Sequence, residues 1–118
     1  MEKYKVVFHV NESNKWSALL ANVNNLVKDL GQDNIIIEVV TNGVAVVDYV
    51  LNIDKDNNNF INKASDAVNY GVKFIACRNA LVGNKIDENL LPSFITVVPA
   101  GVTGLIKKQV EGYAYIKP

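Results

Sequence analysis

The single cysteine of the chain, Cys77, is the side chain best suited to covalent chemistry. It ends an apolar segment, residues 72–77, that is typical of a buried strand, and residues 78–83 are typical of a turn and a short helix. The N–H groups at a helix start and the neighbouring guanidinium of Arg78 both favour a thiolate, the form that attacks sulfur or carbon. This position therefore predicts a nucleophile. Free cysteines are commonly buried as small apolar side chains, so a structural role is the alternative.

The single histidine, His9, lies near the end of the first predicted strand and is the second candidate catalytic residue. An imidazole there could take a proton from the thiol or from a substrate, and it could equally be a hydrogen-bonded polar residue at a strand end. Zinc requires at least three protein ligands, so His9 and Cys77 do not form a metal site within one chain. The sequence predicts neither a metal nor a cofactor.

Short apolar segments alternate with helical patterns along the whole chain, which predicts an α/β fold in one domain, residues 1–118. Residues 44–51 suit a short helix, although their valines also suit a strand. This alternation indicates a mainly parallel sheet of about five strands with helices on both faces. The strands are predicted at residues 4–10, 35–40, 72–77, 94–98 and 113–116, and the principal helices at 16–30, 60–70, 78–83 and 102–110.

The carboxyl ends of parallel strands share one edge of a sheet, where ligands of open α/β sheets bind. We call this edge the carboxyl rim, and the turns there predict a pocket around the two candidate catalytic residues. Residues 101–104 also open a helix that could hold a small anion with backbone N–H groups, without the glycine spacing of a nucleotide-binding loop. The predicted pocket residues are Asn11, Asn42, Gly43, Arg78, Asn79, Gly101 and Val102.

Composition excludes several classes of function. Twelve basic and twelve acidic side chains cancel, and Lys107–Lys108 is predicted to lie on an ordinary helix surface, so no nucleic-acid partner is expected. No segment is long and apolar enough to span a bilayer, and the first residues lack the apolar run of an export signal, so we expect neither a membrane span nor a leader. One cysteine cannot form an internal disulfide, which favours a cytoplasmic location. Residues 54–59 resemble the start of a calcium loop but lack its glycine and glutamate, which indicates a solvated loop.

Four segments together resemble the DsrE/DsrF-like family of small sulfur-relay proteins with a YchN-like fold. They are KVVFHV at residues 5–10, CRNAL at 77–81, VPAGV at 98–102 and EGYAYIKP at 111–118. The resemblance implies a three-layer α/β/α sandwich that forms trimers or hexamers, with a persulfide carried on the cysteine after the third strand, which matches Cys77. This chain has Arg78 and Asn79 where relay subunits tend to have small or apolar residues.

The leading hypothesis is therefore a cytoplasmic protein that accepts or carries sulfane sulfur on Cys77, with a donor or acceptor protein as its partner. One alternative is a non-catalytic oligomeric binding module in which Cys77 is structural. Another is an enzyme that acts on a small anionic metabolite without covalent sulfur. The last strand would leave an apolar edge exposed in a monomer, so we expect a homo-oligomer or an edge tucked beside the sheet.

Overall fold

A computed structural model describes residues 3–51 and 59–118, which form five strands and five α-helices. The strands are β1 (Tyr4–Val10), β2 (Ile35–Thr41), β3 (Lys73–Cys77), β4 (Ile95–Val98) and β5 (Ala114–Ile116). The helices are α1 (Trp16–Leu30), α2 (Asp48–Leu51), α3 (Asn59–Asn69), α4 (Arg78–Gly83) and α5 (Gly101–Val110). The predicted fold class is confirmed.

Local sequence signals account for the bounds of most elements. The segment that suited either helix or strand is helical: a 3₁₀ segment, Gly43–Val47, runs directly into α2. Helix α1 ends at Gly31, whose φ of 87° lies in the left-handed region that favours glycine. The segment that resembles a calcium loop lies outside the described residues except for Asn59, which begins α3.

The five strands form one fully parallel sheet in the order β4-β3-β2-β1-β5. The first four strands add successively in one direction, and α5 then crosses back so that β5 pairs with β1. All five carboxyl ends therefore share the rim. The register places His9 beside Val40, Val40 beside Ile75, and Cys77 beside Val98.

The two faces of the sheet are covered unequally. On one face, α1, α3 and the turns after β2 bury the larger core, in which Trp16, Tyr49 and Phe74 are at most 4% exposed. On the other face, Leu105 of α5 packs on Val7, Val40 and Ile75. Helix α5 is the one helix in residues 3–51 and 59–118 that contributes buried residues to that second core.

The structure of helix α5 differs from the prediction that Lys107 and Lys108 both lie on an ordinary helix surface. Lys107 is exposed, but the side chain of Lys108 is only 23% exposed, and its Nζ lies 2.8 Å from Oε2 of the buried Glu38. Lys108 follows Leu105 by three residues and so faces the sheet on the same side of the helix. The prediction of an ordinary helix surface was wrong for Lys108.

Strand β5 lies at an edge of the sheet, and all three of its residues are exposed, with Tyr115 and Ile116 both at 40%. The expected apolar edge is therefore present in a single chain. Whether a second copy covers it stays a prediction. None of the helices in the described ranges is long and apolar enough to cross a membrane.

Candidate functional site

Cys77 lies where two helix starts meet. It is the last residue of β3 and directly precedes α4, and it is 7% exposed. Gly101, the first residue of α5, packs against it: a Cβ added to Gly101 would lie 3.2 Å from the Cβ of Cys77. The first N–H groups of a helix have no partner within the helix. Cys77 is thus the N-cap residue of α4 and packs on the first residue of α5, although its side chain makes no capping hydrogen bond to α4.

Arg78 does not supply its charge to the thiol in this structure. Its Nε donates to Oε1 of Glu88 at 2.5 Å, and this hydrogen bond raises the pKa of Arg78. The two side chains are 47% and 40% exposed, so the ion pair lies in solvent. The sequence predicts a short helical segment near residues 87–91, and the structure has a 3₁₀ segment at Glu88–Leu90, but no local pattern predicted that Glu88 would pair with Arg78.

His9 has a hydrogen-bond partner at each ring nitrogen. Its Nδ1 lies 2.6 Å from the hydroxyl of Tyr115, and its Nε2 lies 2.9 Å from Oδ1 of Asn42. An amide oxygen only accepts, so Nε2 donates to Asn42, and in the neutral ring Nδ1 then accepts from the Tyr115 hydroxyl. We call Tyr115, His9 and Asn42 the rim array. Sequence reasoning missed Tyr115, which lies 106 residues from His9.

Asn42, rather than His9, is the neighbour of the thiol. His9 is two strands away from β3 and level with Ile75, so strand spacing and rise place its Cα about 12 Å from that of Cys77. Thr41 is beside Ala76, so the next residue, Asn42, is level with Cys77. A Cβ on Gly101 would also lie 3.6 Å from the Cβ of Asn42. His9 thus connects to the thiol through Asn42.

The remaining predicted pocket residues divide into two groups. Asn11 packs against Gly43, where a Cβ would lie 3.0 Å from the Asn11 carbonyl oxygen, and Gly43 has a φ of 56°. This close approach favours glycine at position 43. Oδ1 of Asn11 is buried and has no hydrogen-bond partner among the described residues. By contrast, Asn79 on α4 and Val102 on α5 are exposed to solvent.

The structure therefore groups His9, Asn42, Gly101 and Cys77, with Asn11 and Gly43 beside Asn42. No group of three or more His, Cys, Asp or Glu side chains in the described part of the chain is arranged to hold a metal ion. The grouping of His9, Asn42, Gly101 and Cys77 instead combines a buried thiol, an amide side chain and helix-start N–H groups. These groups suit an anionic sulfur species better than a metal.

The contact between Gly101 and Cys77 predicts opposite effects of alanine at two glycines of α5. Gly101→Ala is expected to lower the free energy of unfolding by about 1 kcal/mol, because the new methyl group meets two buried neighbours, Cys77 and Val40 Cγ1, both at 3.2 Å. Gly104→Ala is the matched control: nothing lies within 4 Å, so the helix-propensity gain of about 0.5–1 kcal/mol should raise stability. Urea denaturation measures both. Equal effects at the two positions would contradict close packing at the thiol.

Comparisons with known proteins identify relatives of the whole chain. The family model described as the DsrE/DsrF-like family matches residues 5–118. A solved structure of a protein of unknown function from Methanobacterium thermoautotrophicum is similar over 98% of this chain and 100% of that chain, with 33% identity and a TM-score of 0.83. No curated protein matches the chain significantly.

Two more distant structures share the fold. The ychN protein from E. coli is 13% identical over 100% of both chains, with a TM-score of 0.73. A conserved protein of unknown function from Bacteroides thetaiotaomicron is 14% identical over 97% of this chain and 94% of that chain, with a TM-score of 0.69. At these identities the similarity extends to architecture alone.

Proposed function

Since the chain belongs to the DsrE/DsrF-like family, we propose that it accepts and carries a sulfane sulfur on Cys77 in a sulfur relay. The observation that carries this proposal is the location of the thiol at the junction of β3, α4 and α5. The helix-start N–H groups there stabilise negative charge on a thiolate or on the terminal sulfur of a persulfide. The charge of Arg78 plays no part in this proposal, because Arg78 pairs with Glu88.

The proposed reaction is thiol–persulfide exchange. The Cys77 thiolate attacks the terminal sulfur of a donor persulfide, R–S–SH, and a new S–S bond forms as the donor S–S bond breaks. The products are Cys77–S–SH and the donor thiolate R–S⁻, so charge, protons and electrons balance without an added oxidant. Delivery to an acceptor thiolate is the same exchange in reverse.

The rim array supports this role through Asn42. The hydrogen bond from His9 fixes the amide oxygen of Asn42, and this orientation leaves the amide NH₂ group of Asn42 to donate at the rim, level with Cys77. An amide donor beside the sulfur stabilises its anionic form and orients an incoming donor. His9 and Tyr115 act here as positioning residues.

Intact-protein mass spectrometry after incubation with a low-molecular-weight persulfide tests the proposal. Wild type is expected to gain the mass of one sulfur atom, and dithiothreitol should remove it. Cys77→Ser should gain none, because the chain has no other cysteine. If wild type gains no more sulfur than Cys77→Ser, the protein is not a persulfide carrier.

The burial of Cys77 favours a second candidate function, a binding module in which the thiol is structural. Cys77 is only 7% exposed. Gly101 packs against both Cys77 and the fully buried Val40. A thiol that only fills space should react with a maleimide much more slowly in the native protein than in urea. A carrier thiol should react with the small persulfide under native conditions.

We further propose that the protein forms a homo-oligomer, either a trimer or a hexamer. In this proposal it exchanges sulfur with a donor or acceptor protein in the cytoplasm. The exposed edge strand β5 supports an oligomer, as do the exposed apolar residues on α5. Val102, Ile106 and Val110 recur every fourth residue and are 60%, 58% and 83% exposed. Such a stripe is large for a monomer surface.

A further inference from the structure

Glu38 is a buried carboxylate in which one oxygen accepts no hydrogen bond from the described residues. Its side chain is 8% exposed and lies in β2, the central strand of the sheet. Oε2 contacts Nζ of Lys108 at 2.8 Å and accepts from the Tyr113 hydroxyl at 3.2 Å. Oε1 is buried and has no partner in the described part of the chain. A buried acceptor without a donor destabilises the folded protein, so a ligand donor that reached Oε1 would recover that free energy.

A cavity of about 400 Å³ adjoins Glu38 between the sheet and α5. Val40, Ile75 and Val98 form its apolar floor on the sheet, and Thr103 and Gly104 of α5 line the opposite side. This volume is within the range of small-molecule sites, and an apolar floor with few polar groups is typical of them. Cys77 is not one of the lining residues, although Val40 borders both this cavity and the contact of Cys77 with Gly101.

The charges around this cavity favour an anion. Three lysines and two glutamates line it, a net charge of one positive. Lys108 pairs with Glu38 and lies 3.8 Å from Glu111, whereas Lys73 and Lys107 form no ion pair with any residue in the described ranges. Lys73 is the register neighbour of Glu38 on β3, so the two side chains leave the sheet side by side and the ammonium of Lys73 is available to a ligand.

We infer that this cavity binds a small organic monoanion that also carries a hydroxyl or N–H donor. Its donor reaches Oε1 of Glu38, its apolar part lies on Val40 and Ile75, and its negative group pairs with Lys73 and Lys107. Oε1 is buried and has no partner before binding, so the donor reaches it as the exposed side chains of Lys73 and Lys107 move toward the anion. A cationic ligand is disfavoured because three lysines surround the site.

Isosteric acids test this inference in ¹H–¹⁵N NMR titrations of the wild-type protein. N-acetylglycine and lactate carry both the negative group and a donor, while levulinate and isobutyrate are the matched acids without the donor. We expect the donor-bearing acid of each pair to bind about fivefold more tightly, the value of one hydrogen bond of about 1 kcal/mol. The uncharged N-acetylglycinamide should not saturate. Shifts should centre on Glu38, Thr103 and Gly104.

Variants separate the two halves of the site. Glu38→Gln should abolish the preference within each pair, because Lys108 attracts the amide oxygen and leaves the cavity facing an NH₂ group. Lys107→Ala should weaken both acids of a pair equally, and Lys28→Ala on α1, on the opposite face of the sheet, should weaken neither. Cys77→Ser should bind like wild type, so a failed sulfur relay leaves this result unaffected. Equal affinities within both wild-type pairs, shifts that map elsewhere, or no saturation by any acid would overturn the inference.

Discussion

Lys108→Met is expected to lower the free energy of unfolding by about 2 kcal/mol at neutral pH. The substitution keeps the aliphatic stem of the side chain and leaves Glu38, 8% exposed, with the Tyr113 hydroxyl alone at Oε2. Removing one partner from a fully buried ion pair costs about 3–5 kcal/mol, and the 23% exposure of Lys108 reduces that figure. Urea denaturation of both proteins measures the difference.

The pH dependence of this loss follows from the ionisation of Lys108. The hydrogen bond to Glu38 raises the pKa of Lys108 in the folded state, and this effect is larger than the opposing effect of desolvation. A raised folded pKa contributes stability that is complete below the ordinary lysine pKa and is lost as pH rises through the folded value. The advantage of wild type over Lys108→Met should therefore be constant through neutral pH and shrink in the alkaline range.

Two controls identify the ion pair as the cause. Lys107→Met removes a charge from the next residue, which is exposed and forms no ion pair within the described ranges, so it should change stability by less than about 0.5 kcal/mol. In a double-mutant cycle, Glu38→Gln combined with Lys108→Met should cost less than the sum of the two single changes. Additive costs would show that the two side chains do not interact.

Trp16→Ala is expected to have the largest effect on stability, about 4 kcal/mol. Trp16 is 4% exposed, and its ring centroid lies 4.6 Å from that of Phe60, 5.5 Å from Tyr49 and 6.4 Å from Phe74. Its Nε1 donates to the Ala45 carbonyl at 3.4 Å. Truncation removes these aromatic contacts and leaves a cavity between α1, α3 and the sheet, which costs about 3–5 kcal/mol for a tryptophan.

A loss of that size is a large fraction of the stability of an ordinary small domain, about 5–15 kcal/mol. The variant should therefore unfold at much lower urea concentration or temperature than wild type, as followed by circular dichroism. Tyr70→Ala is the matched control, because Tyr70 is an aromatic residue that is 42% exposed, and its loss should be close to neutral. A similar cost for the two substitutions would mean that the larger core does not depend on Trp16.

Hydrophobic periodicity was sufficient to predict the elements and their layer order. The nearly continuous β-branched segment in β2 indicates a strand covered on both faces, and the apolar stripe in α1 indicates which side of the helix is buried. Glycines mark helix ends such as Gly31 and Gly112. Alternation of strands and helices then permits few topologies other than a parallel sheet. The same reasoning placed Cys77, Asn42 and Gly101 at one rim, because every parallel strand ends there.

Partners of individual side chains were beyond that reasoning. Glu38 in the middle of an apolar strand was the one available signal of a buried charge, yet nothing local identified Lys108, seventy residues later, as its partner. Periodicity predicted a solvent-facing Lys108 because a helix pattern does not state how far a helix rotates against a sheet. The packing of Leu105 on Ile75 and Val40 sets that rotation.

The amino-acid sequence by itself determined the elements, the parallel sheet and the presence of a thiol at the carboxyl rim, because these depend on local patterns of apolar, polar and turn residues. Only the tertiary structure decided that Tyr115 bonds to His9, that Asn42 lies between His9 and the thiol, and that Glu38 turns to α5. The physical reason is strand order. The return of α5 across the sheet brings together residues 106 positions apart, and no short-range pattern encodes that contact.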